Sequence, residues 1–124
     1  MRNWLAVLVV VGLVAGCAHH GRVNDDYQGN VDSTVHIENH HWGDVDVFLL
    51  HDGQRTRLGM VTATTEQTFV LKSRLVGSAA QMQLEAHAIG MTGVLDSEQM
   101  AYRPGMQINW TLESNLSRAT LSIY

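Results

Sequence analysis

The sequence predicts an all-β domain, an antiparallel sandwich of seven to eight short strands, and three observations predict it. Apolar and polar residues alternate with period two through most of the chain beyond residue 33, as they do in strands buried on one side only. Turn signals recur about every eight to twelve residues, the cadence of sandwiches and small barrels. Each strand is half apolar and half polar, which suits two sheets that each bury one face against the other.

The strands are taken in order. Residues 34–39 place Val35 and Ile37 on one face. In the next run, 44–51, Val45, Val47 and Leu49 alternate with Asp44, Asp46 and Phe48. The link His40-His41-Trp42-Gly43 contains a glycine and is short enough for a hairpin or tight loop. His51-Asp52-Gly53-Gln54 is the clearest turn, because Asp-Gly between two alternating runs is the strongest short-range hairpin signal. The run 55–62 places Leu58 and Met60 inward, with Arg55 and Arg57 outward. Residues 64–71 form a further strand with Phe69 and Leu71 on one face and Val70 on the other.

Residues 72–78 fit either a crossover loop or a single helical turn, with Leu75 or Val76 plugging the core. Residues 80–88 alternate most strictly, with Met82 and Leu84 on one side and Gln81, Gln83, Glu85 and His87 on the other. Their composition also suits a helix, but a helix would spread the apolar groups around the whole cylinder. A glycine-containing loop (90–96), a short strand (97–103) and a Pro104-Gly105 turn follow. Residues 106–112 carry Met106, Ile108, Trp110 and Leu112 on one face. A last strand, 118–124, would turn Ala119, Leu121 and Ile123 inward.

Ahead of this domain lies a different kind of sequence. Arg2 precedes an apolar run, 4–16, and then Cys17, the chain's one cysteine. A charged start, a short apolar core and a small-residue site make an export signal. The run is too short to cross a bilayer as a helix, which needs about twenty residues. Leu13-Val14-Ala15-Gly16-Cys17 resembles the lipobox of bacterial lipoproteins. That resemblance implies cleavage of a signal peptide, 1–16, and a Cys17 carrying diacylglycerol and a further acyl chain such as palmitate. Two or more chains anchor stably, at about 0.8 kcal/mol per buried CH₂. Ala18 stands where Asp marks retention in the inner membrane, so the resemblance favours the outer membrane, facing the periplasm. Residues 17–32, with His19 and His20, then read as a lipidated N-terminus and polar tether, and 33–124 as the sandwich. The strand pattern resembles immunoglobulin-like or transthyretin-like domains and small all-β lipoproteins, without the inter-sheet cysteine pair of true immunoglobulin domains.

Composition narrows the function. Over 124 residues, eight Lys and Arg face twelve Asp and Glu, a formal charge of −4. A mildly acidic chain lacks the clustered basic patch that nucleic acid needs, so no nucleic-acid partner is expected. With Cys17 lipidated, no thiol remains for a disulfide, a nucleophile or a thiolate metal site. There is no Gly-x-Ser-x-Gly, phosphate loop, dinucleotide fingerprint or His-Glu-x-x-His, so the expectation is a non-enzyme with no bound cofactor.

Histidine is the main candidate for chemistry, with seven in the chain. His36, His40 and His41 could form a metal site, completed by Asp44 or Asp46, against the plainer reading of solvated loop histidines. His51 would lie about 20 Å away, at the other end of its strand. Asp44 and Asp46, about 7 Å apart on one face, could share acid and base roles. The plainer alternative pairs them with Arg55 and Arg57 across the hairpin. For binding, the end carrying Asn39, His40, His41 and Trp42 is the first candidate, while Trp110 belongs to the core. The expected role is a membrane-anchored envelope domain acting by binding or structural contact, with an envelope protein as candidate partner. A metal-handling lipoprotein and a small envelope-directed enzyme or inhibitor are the alternatives.

Overall fold

The computed structural model describes residues 31–124. The leader, Cys17, His19, His20 and nearly all of the expected tether lie outside the described residues.

The described chain is all-β in two sheets and is not a barrel. In order, the elements are β1 (Ser33–Asn39), β2 (Val45–His51), β3 (Gln54–Val61), β4 (Glu66–Leu71), α1 (Ser73–Val76), β5 (Gln81–Ala88), β6 (Val94–Asp96), β7 (Met100–Ala101), β8 (Gln107–Leu112) and β9 (Ala119–Ile123). Sheet I has the order β4-β1-β8-β9. Sheet II has the order β3-β2-β5-β6, with β7 also paired to β5. The strands thus number nine rather than seven or eight, because β6 falls where the sequence suggests only a loop.

The expectation of an antiparallel sandwich needs one correction: β1 pairs with β8 in parallel, in register Val35↔Ile108 and Ile37↔Trp110. The cause lies in the 40–44 link. It makes no hairpin but carries the chain from sheet I into sheet II, so β1 must take its neighbours from later in the sequence. The neighbours are β4, antiparallel, and β8. By contrast, Asp52 and Gly53 both have positive φ, 49° and 70°, as the two central residues of a type I′ hairpin require.

Inward residues of both sheets form one core. Val35, Ile37, Val45, Val47, Leu49, Leu71, Leu84, Ile108 and Leu112 are fully buried, and Trp110 nearly so. The single turn α1 plugs one end through Val76, also buried. Asp32 docks on this turn, accepting hydrogen bonds from Lys72 Nζ (2.7 Å) and Ser73 N (3.1 Å). Those two bonds, the lysine's first, hold the Asp32 carboxyl below its ordinary range.

Two inward assignments differ from expectation. Met60 is 41% exposed, and Val61 is buried in its place. A β-bulge shifts the register, so Val47 faces Gly59 while Phe48 faces Arg57, and the parity of β3 flips at Leu58. A Cβ on Gly59 would lie 2.6 Å from the Phe69 ring, so the bulge fits only a residue without a side chain. Ile123 is 47% exposed, since β9 is an edge strand. Among the described residues, two buried side chains have polar atoms without a hydrogen-bond partner: His51, at both ring nitrogens, and Tyr102, at its hydroxyl.

Candidate functional site

The 40–43 loop is built from the inside. Period-two alternation continues past the end of β1, so Asn39 and His41 face inward and are buried, while His40 faces out. The Asn39 amide donates to the carbonyls of Gly43 (3.0 Å), Val61 (3.3 Å) and Thr62 (3.3 Å). Its Oδ1 accepts the His41 N–H at 3.0 Å. The Gly43 N–H donates to His41 Nδ1 at 3.0 Å, and the same nitrogen lies 3.3 Å from the Gly43 carbonyl oxygen. A Cβ on Gly43 would sit 3.2 Å from the imidazole. The backbone locks onto the neighbouring 62–65 loop, with Asn39 N to Thr65 O at 2.8 Å and Thr64 N to His41 O at 3.1 Å.

Trp42 is the one large side chain that this framework pushes out. It is 74% exposed, with its ring 5.0 Å from that of His41. A rigid loop bearing an exposed indole suits recognition, because Trp offers much contact area for little lost rotamer freedom.

The structure does not bring the three histidines proposed as metal ligands together. His41 is buried with Nδ1 occupied, whereas His36 and His40 lie on the outer face of sheet I. Around these two, carboxylates gather instead. His36 Nε2 lies 3.4 Å from Glu66 and 3.8 Å from Glu38, and His40 Nε2 lies 3.4 Å from the other Glu38 oxygen. His40 Nδ1 is 4.0 Å from Glu113. Register explains the meeting: β1 and β4 set Glu38 opposite Glu66 and His36 opposite Thr68. Sequence reasoning missed Glu66 and Thr68 because β4 pairs with a strand far from it in the chain. His36 and Glu38, two apart on one strand face, were the available signal.

The aspartate pair is separated. Asp44 Oδ1 accepts the Ala63 N–H at 2.9 Å, and Asp46 pairs with Arg57. Arg55 instead stacks 3.5 Å above the Phe48 ring and donates to Glu85, and His87 Nε2 lies within hydrogen-bond distance of both Arg55 and Glu85. Burial pushes the Glu85 carboxyl up, but the His87 and Arg55 hydrogen bonds outweigh it and hold the group below its ordinary value. His51 lies at the opposite end of β2 from the loop, as expected, but inward and buried rather than at the surface.

A concavity of about 690 Å³ runs beside β6 and β9 and is lined by Asp96, Glu98, Glu113 and Arg118 among other residues. Among the described residues, no histidine lines it.

No protein-family model and no curated protein matches this chain. Among solved structures, the NMR structure of a protein from Eubacterium rectale is similar to it, at 12% identity and a TM-score of 0.46, covering 82% of this chain and 92% of that one.

Proposed function

We propose that the chain is a lipid-anchored lipoprotein of the cell envelope, attached through Cys17 to the outer membrane on its periplasmic side. Its domain, a sandwich of the immunoglobulin-like or transthyretin-like kind, acts by binding rather than catalysis. The lipobox-like Leu13–Cys17 supports the anchor. The observation that carries the binding role is the tip itself: Trp42 stands 74% exposed between residues whose polar groups are satisfied from within. The partner is an envelope protein with an apolar recess for the indole, rimmed by donors that can meet Glu38 and Glu113 beside His40.

Two measurements test this. Mass spectrometry of the mature protein should find residue 17 as an acylated N-terminus, and Cys17→Ser should leave the protein unacylated with Met1 retained. A photo-crosslinking residue at position 42 should capture one envelope protein in intact cells, whereas the same probe at Ser122 should not. Equal capture from both positions would remove the tip as the binding surface, whatever the state of the anchor.

A further inference from the structure

We propose that His36, Glu38 and Glu66, with His40 at the rim, form a binding site for a divalent first-row transition cation on the outer face of sheet I. The site shares Glu38 and His40 with the rim of the contact proposed around Trp42, but it rests on neither that contact nor the anchor.

The donor atoms stand near the spacing that such an ion would draw them to. Tetrahedral ligands at bond lengths of about 2.0–2.1 Å are about 3.3 Å apart. His36 Nε2 is 3.4 Å from Glu66 Oε2 and 3.8 Å from Glu38 Oε1. One donor atom from each of the three lies within 4.8 Å of the others, the one such trio among the described residues. His40 Nε2 lies 3.4 Å from the other Glu38 oxygen, at the rim of this trio and outside it. A cleft of about 190 Å³, lined by Glu38, Asn39, His40, Thr64, Thr65 and Glu66, adjoins both carboxylates.

The surroundings favour a metal over a plain ion pair. His36 Nδ1 lies 2.9 Å from Thr68 Oγ1, which fixes the ring and leaves Nε2 facing the carboxylates. Metal-binding histidines are oriented in this way by a hydrogen bond on the other nitrogen. Like charges directly opposite each other destabilise a strand pair, and Glu38 faces Glu66 across β1 and β4. Asp32, Asp46 and Glu85 each have a lysine or arginine partner. Among the described residues Glu38 and Glu66 have only imidazoles, which supply positive charge when protonated and donor electron pairs when neutral. A cation shared by the three groups removes the repulsion at neutral pH and clips edge strand β4 to β1. The imidazole selects a transition cation over calcium or magnesium, which take all-oxygen sets.

Zinc chloride is the probe, titrated against a chromophoric chelator into the full-length protein in detergent, with His19→Ala and His20→Ala introduced to remove the N-terminal histidines. One zinc per chain is expected. His36→Ala should weaken binding at least a hundredfold, and Glu66→Gln at least tenfold. Thr68→Val touches no ligand atom and should still weaken it ten- to a hundredfold by releasing the ring. Cobalt in the same site should give visible absorption bands that His36→Ala abolishes. Binding that vanishes with His19 and His20, or that Glu66→Gln and Thr68→Val both leave unchanged, overturns the site. Both of these positions are exposed, so their variants decide the matter even where His36→Ala fails to fold.

Discussion

Removing the Asn39 side chain should cost the domain about 3 kcal/mol. The carboxamide has two N–H hydrogens and meets three carbonyls, so it makes two good bonds and shares one hydrogen with the third acceptor. With the bond accepted from His41 N, that makes three net interactions at about 1 kcal/mol each. In Asn39→Ala the buried His41 N–H loses its acceptor as well, which sets a floor of about 1 kcal/mol for that group alone. Asn39→Asp is the sharper variant. It keeps the shape and the acceptor but turns a carboxylate toward three carbonyl oxygens, so it should be at least as damaging as alanine despite being nearly isosteric. Urea denaturation of the full-length protein, followed by circular dichroism, measures both. Amide exchange at His41 and Thr64 should accelerate in step, because both amides belong to the braced loop. A loss under about 1 kcal/mol for Asn39→Ala, or an Asn39→Asp protein as stable as the wild type, would refute the argument that this side chain holds the tip.

The remaining expectations concern the rest of the sandwich. His51→Leu should raise stability by about 1–2 kcal/mol, because it replaces a buried ring with two unpartnered nitrogens by an apolar group of similar size; a lower melting temperature for the variant would contradict this. Glu85 is held below its ordinary value of 4.5 when folded, so its contribution is present above that value and is lost as pH falls through the folded one. The stability gap between wild type and Glu85→Gln, measured by denaturant titration, should therefore narrow from about pH 6 toward about pH 3. A gap that stays constant or widens in acid would show that the carboxylate is not the group responsible.

Where local chemistry decides the conformation, the sequence was legible. The Asp52-Gly53 turn, the strict alternation of β5 and the inward set of β8 each depend on a few adjacent residues. Long-range pairing was not legible in this way. Nothing between residues 33 and 39 says that the partner strands are β4 and β8, so neither the parallel pair nor Glu66 beside His36 could be read from it. The β3 bulge defeated the assignment of Met60 because one extra residue reverses every side chain that follows. His41 was within reach: carrying the count 35, 37, 39 one step further puts 41 inside and leaves 40 with 36 and 38 outside. The 40–43 loop prolongs the strand's alternation.

The position of β1 between β4 and β8 has a consequence for the order of assembly. Strand β1 cannot complete its ladder until residues 107–112 have been made, so sheet I stays open between β1 and β8 while the intervening chain is synthesised. Contacts so distant along the chain slow folding. Sheet II, whose strands all lie within residues 45–101, can close before that last pairing is available, so the two layers need not form together.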